Sequence, residues 1–85
     1  MRTLRDLRQG LNLTQKELAD FFEVSDRTIY QMEKDSSNIK DSLLKRYMMA
    51  FNISYDNIFL GSEYEIFVFE KRRRQNFEKR IKQKA

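Results

Sequence analysis

The sequence predicts an all-α fold, with about five short helices in residues 1–61 and a basic extension over residues 62–85. Three observations carry this. Apolar residues recur at three- and four-residue spacing through the first 60 residues. Serine and threonine caps stand just ahead of such rows. No stretch there alternates polar and apolar with period two.

The first helix is expected over residues 3–10, with Leu4 and Leu7 on one face and Arg5 and Arg8 beside them. Gly10 is the expected stop, because glycine takes positive φ without steric cost. Thr14-Gln15-Lys16-Glu17 reads as a capping box, in which a hydroxyl and a carboxylate satisfy each other's backbone N–H. Leu18, Ala19, Phe21 and Phe22 follow as its apolar face. Phe22-Glu23-Val24 leads to a second cap at Ser25 and a helix from 26 to about 34, with Ile29 and Met32 toward the core. Residues 35–38 are a polar loop. Asp41 or Ser42 is expected to cap a fourth helix carrying Leu43, Leu44, Tyr47, Met48 and Phe51. Ser54 is expected to cap a last short helix over 55–60, ended by Gly61.

Residues 62–70 change character. Glu63-Tyr-Glu-Ile-Phe-Val-Phe-Glu70 has the aromatic and β-branched residues of a strand, whereas the Lys/Arg/Gln/Glu run that follows favours helix. Strand and helix both remain open. The apolar run 66–69 cannot all face one small core, and a second copy of the chain is the simplest cover. The expected dimer contacts are Ile58, Tyr64, Ile66, Phe67, Val68 and Phe69, in a C-terminal arm distinct from the 1–61 domain.

Composition narrows the function. Eighty-five residues hold one small domain and a tail. Cysteine and histidine are absent, which removes disulfides, thiolate metal sites and the commonest catalytic acid/base. No glycine-rich phosphate loop and no convincing carboxylate pair occurs, so neither an enzyme, nor a cofactor, nor a small-molecule substrate is expected. No apolar run approaches a membrane span, and the start is too polar for a signal peptide; a cytoplasmic protein without a membrane partner is the expectation. Charge is divided unevenly. Residues 1–70 hold 9 Lys/Arg against 12 Asp/Glu, while residues 71–85 hold 8 Lys/Arg and one acid, Glu78. A basic segment of this kind suits a polyanion, or serves only as a solvated terminus.

Two capped helices joined by a short turn are the layout of a helix-turn-helix. Leu7-Arg8, Leu13-Thr14-Gln15, Glu17-Leu18-Ala19, Val24-Ser25, Ile29 and Glu33 resemble the lambda-repressor-like, or Xre/Cro, family of DNA-binding domains over roughly residues 2–60. The resemblance implies a five-helix domain whose recognition helix, residues 25–34, enters the major groove of double-stranded DNA. It implies that Arg8 and Glu33 form a buried ion pair and that Gln15 and Lys16 lie by the DNA backbone. On the recognition helix, Arg27 suits guanine and Gln31 suits adenine, each by a bidentate pair of hydrogen bonds. Thr28 suits a thymine methyl and Tyr30 a phosphate or methyl. Asp26 suits cytosine N4 or orients Arg27. Ser25 and Lys34 complete that face, each otherwise an exposed polar residue on a solvated helix. The loop residues Ser36, Ser37, Asn38 and Lys40 are expected to meet phosphates, as such loops do in relatives. Two positions depart from the family: Glu23 and Asp35 stand where glycine is common and left-handed backbone is expected. The resemblance further implies a homodimeric repressor of phage, prophage or mobile-element type on a pseudo-palindromic operator. The alternative on the same fold is an antitoxin or protein-interaction adaptor.

Overall fold

Thr3 opens the first helix, α1 (Leu4–Gly10), through a reciprocal cap: its Oγ1 accepts from the Asp6 N–H at 3.1 Å, and Asp6 Oδ2 accepts from the Thr3 N–H at 2.9 Å. The computed structural model describes residues 1–84, and its elements follow as α2 (Gln15–Phe22), α3 (Asp26–Lys34), α4 (Asp41–Ala50), a 3-10 turn (Tyr55–Asn57) and α5 (Glu63–Lys84). The fold is therefore all-α, with five α-helices and, among the described residues, only an isolated parallel bridge between Arg2 and Ile58 in place of a sheet. No helix among the described residues is long and apolar enough to cross a membrane.

The core is formed where the apolar stripes of α1 to α4 converge: Leu4, Leu7, Leu18, Ala19, Phe22, Ile29, Leu43, Tyr47 and Ile58 are all buried. Ala19 of α2 and Ile29 of α3 are both fully buried in it. Phe22 meets Tyr47 edge to face at 5.0 Å, a favoured aromatic geometry. Phe21, expected on the apolar face of α2, is instead 71% exposed, because the buried stripe of so short a helix is already filled by Leu18, Ala19 and Phe22.

Several local expectations are corrected. Gly10 lies inside α1 and does not take positive φ; the reversal falls on Asn12 (φ 56°), a residue that tolerates this region. Neither Asp41 nor Ser42 caps α4; Lys40 occupies the cap position without a side-chain bond. The expected last helix over 55–60 contracts to the 3-10 turn, since Phe59 pairs its N–H with the Arg2 carbonyl at 2.8 Å and leaves helical geometry.

α5 settles the open choice between strand and helix. Ser62 and Glu65 form a further reciprocal cap at its start. Ile66 is buried, Phe69 stacks on Phe59 at 4.3 Å, and Arg73 lies over the Phe69 ring while binding Asp6 at 2.6 Å. These contacts correct part of the expected dimer set. Ile58 and Ile66 are only 3% and 9% exposed and are occupied by the protein's own core, and Phe69 is engaged with Phe59. Tyr64 and Phe67 are exposed and Val68 is half-buried.

Candidate nucleic-acid interface

The geometry of α3 is set by Glu33, whose side chain is fully buried. Arg8 donates from Nε to Glu33 Oε2 at 2.6 Å and from Nη2 to Oε1 at 2.9 Å, a bidentate charge-assisted pair. Arg8 Nη1 also donates to the Leu13 carbonyl at 2.8 Å, and Gln15 Nε2 donates to Glu33 Oε1 at 3.2 Å. One carboxylate thus ties α1, the lead-in to α2 and α2 itself to α3. The Glu33 hydrogen bonds raise the Arg8 guanidinium further above its ordinary value, against the opposing effect of burial.

The turn between α2 and α3 runs through Glu23 at φ 57°, ψ 42°, the left-handed conformation expected there despite the side chain. Ser25 then caps α3, its Oγ accepting from the Thr28 N–H at 3.1 Å. Asp26 Oδ1 accepts from the Arg27 N–H at 3.0 Å, so the carboxylate faces the positive end of the helix dipole and offsets α3's N–H groups. Asp35 is extended (φ −148°), not left-handed: its N–H makes the last helical bond of α3, to the Gln31 carbonyl, and its backbone then leaves helical geometry while its carboxylate accepts from the Ser37 N–H and hydroxyl. The Ser37 hydroxyl and then its N–H hold that carboxyl below its ordinary pKa.

With Ile29 and Glu33 inward, α3 turns Asp26, Arg27, Tyr30, Gln31 and Lys34 outward, all exposed. Asp26, Arg27 and Tyr30 join Arg8, Thr14, Gln15 and Lys16 around an open cleft between the start of α2 and the outer side of α3. Thr28 is half-buried and its hydroxyl shares a 2.9 Å hydrogen bond with Ser25. It lines a second groove, toward α4, together with Asn38 and Lys40. That groove also holds Ser42 and Arg46, which sequence reasoning missed; Arg46 carries the only further basic charge there, and its place on the polar side of α4 was the available signal.

Ser36 is not a surface residue. It is 1% exposed, its N–H donates to the Gly61 carbonyl at 2.9 Å, and its Oγ accepts from the Gly61 N–H at 2.9 Å. Ser37, Asn38 and Lys40 remain exposed beside it. Lys34 lies 3.9 Å from Glu63, where α5 begins.

A family model described as helix-turn-helix matches residues 4–58, well over half of the chain. No curated protein matches it.

Proposed function

The chain belongs to the Xre/Cro-type helix-turn-helix family of DNA-binding domains, and from that premise we propose that it is a sequence-specific transcription repressor, of the phage or mobile-element kind, acting as a dimer on a pseudo-palindromic operator. The observation that carries this reading is the outward face of α3, where Arg27, Tyr30 and Gln31 stand exposed and clear of the protein's own packing. Arg27 takes guanine O6 and N7, and Gln31 takes adenine N6 and N7. Gln15 and Lys16 at the start of α2, with Ser37, Asn38 and Lys40 on the other side, meet phosphates and fix the register. Two copies place their recognition helices about 34 Å apart, one turn of B-form duplex. The basic half of α5 adds contacts to flanking phosphates.

Selection of bound duplexes from a random pool, at stated salt, tests this. A recovered consensus with twofold symmetry and guanine within each half-site is the expected result. Recovery no better than bulk competitor duplex overturns it.

A further inference from the structure

Along α5 a row of residues recurs at alternating four- and three-residue spacing: Glu63, Phe67, Glu70, Arg74, Phe77 and Ile81. This is the spacing of the seam of a two-stranded helical pair. The row lies about a quarter-turn from the side that docks on the body through Ile66, Phe69 and Arg73. Its apolar members are unpartnered: Phe67 is 60% exposed, Phe77 56% and Ile81 53%.

The row is self-complementary. Phe67 stands as far before position 72 as Phe77 stands after it, and the same holds for Glu70 with Arg74 and for Glu63 with Ile81. We propose that this face is covered by α5 of a second copy, running antiparallel and centred on position 72. The inference rests on the dimeric reading above and supplies its contact surface. In this register Phe67 packs on the partner's Phe77 and Ile81 lies along the stem of the partner's Glu63, while Glu70 and Arg74 exchange their contacts within the helix (Arg73 at 3.9 Å, Glu78 at 3.2 Å) for a pair with the partner's Arg74 and the partner's Glu70. All these layers repeat across the twofold axis, as an isologous interface requires.

Charge fixes the direction. The first eight residues of α5 carry Glu63, Glu65 and Glu70 and no base, whereas the following residues carry Lys71, Arg72, Arg73, Arg74, Lys79, Arg80 and Lys82 against Glu78. An antiparallel pair lays the acidic half on the basic half; a parallel pair lays like on like. Lys71 flanks the axis opposite the partner's Lys71, so the aromatic layers and the Glu70–Arg74 pairs hold the interface, not the rim.

Sedimentation equilibrium of the full chain without DNA tests the proposal. A dimer is expected at concentrations on the order of 100 µM. Phe77→Asp, at an exposed position, is expected to be monomeric with unchanged helical circular dichroism. Glu70→Arg and Arg74→Glu singly are each expected to weaken association about tenfold or more, and the double exchange to restore it, since it rebuilds both pairs. A monomeric parent chain, or a double exchange as weak as its singles, overturns the proposal. The chain has no cysteine, so orientation is read from Glu63→Cys and Ile81→Cys variants, whose positions lie about 27 Å apart along the helix. Oxidised in a mixture they should cross-link to each other; cross-linking of either variant to itself alone overturns the antiparallel arrangement. The two readings fail separately. A dimer with no operator preference sinks the repressor and leaves this interface standing, whereas a chain that is monomeric without DNA yet selects a twofold-symmetric operator does the reverse.

Discussion

Glu33 is 4% exposed and would be an uncompensated buried charge without Arg8, whose two hydrogen bonds meet both of its oxygens. Arg8→Ala is therefore expected to cost about 3–5 kcal/mol of unfolding free energy in denaturant melts, far more than a surface ion pair. Arg5, at 3.6 Å from Glu33 and half-exposed, is too far and too solvated to replace it. Tyr47 has the opposite imbalance. Its ring is fully buried, edge to face with Phe22 and stacked on Phe51 at 6.0 Å, yet its hydroxyl is the buried side-chain atom among the described residues that finds no hydrogen-bond partner. Burial also pushes the Tyr47 phenol well above its ordinary pKa. Tyr47→Phe should leave stability unchanged or raise it by up to about 1 kcal/mol, read as the thermal midpoint, because it removes an unpaired polar group and keeps the ring. On the outer side of α3, Arg27→Ala should weaken operator binding by about 1–3 kcal/mol and relax preference at one base, measured by titration against single-base operator variants. Residues such as Arg8, Thr14 and Ser25 were legible in the sequence because their roles are local or carried by a spaced motif. Ser36 was not, since nothing in a run of polar residues distinguishes a hydroxyl that bridges to Gly61, 25 positions away, from one that faces solvent.

At the scale of elements, the same contrast separates α2 and α3 from α5. Thr14–Glu17 and Ser25 announce the first two helices, and the structure places both caps as read. Ser62–Glu65 announces α5 with the same spacing, but the aromatic and β-branched run behind it masked the signal. Propensity over 64–69 is overridden by docking: Ile66 and Phe69, three residues apart, can reach the body together only from a helix. What fastens α5 to α1 is Arg73 on Asp6, a residue already held by the Thr3 cap. Burial is the largest single influence on Asp6 and works against its charge, yet the hydrogen bonds from Arg73 and Thr3 together outweigh it and hold the carboxyl below its ordinary value. A depressed folded pKa means that this contribution is present at neutral pH and is lost as acidification passes below about pH 4, through the folded value. Asp6→Asn should thus be less stable than the parent at pH 7, with the gap in thermal melts closing as acidification carries Asp6 through its folded value. A gap that persists at low pH would locate the effect in side-chain shape instead of charge. Arg73→Gln, which spares the Thr3 cap, separates the latch from the cap.

For the molecule as a whole, the uneven charge of the sequence becomes a spatial fact. Twelve of the 13 acids lie on residues 1–70, the helix-turn-helix body and the first turns of α5, whereas eight of the 17 bases crowd into residues 71–85, around and beyond the contact of Arg73 with Asp6. Lys79, Arg80 and Lys82 of this helix are all exposed and, among the described residues, form no ion pair, since the neighbouring acid, Glu78, is held by Arg74 at 3.2 Å. Neutralising these three as Lys79→Gln, Arg80→Gln and Lys82→Gln leaves the α5 seam residues Phe67, Glu70, Arg74, Phe77 and Ile81 intact, so it separates phosphate contact from association. If the three side chains sit on flanking phosphates, the slope of log affinity against log salt should become shallower by up to about 2.7 per chain, with operator preference retained, because each lost phosphate contact removes about 0.9 from the slope. The dimer should sediment as before. An unchanged slope would mean that these three side chains never reach the duplex. The salt dependence would then fall to the remaining bases, among them Lys16, Arg27, Lys40 and Arg46, which line the two clefts beside α3 and stay exposed.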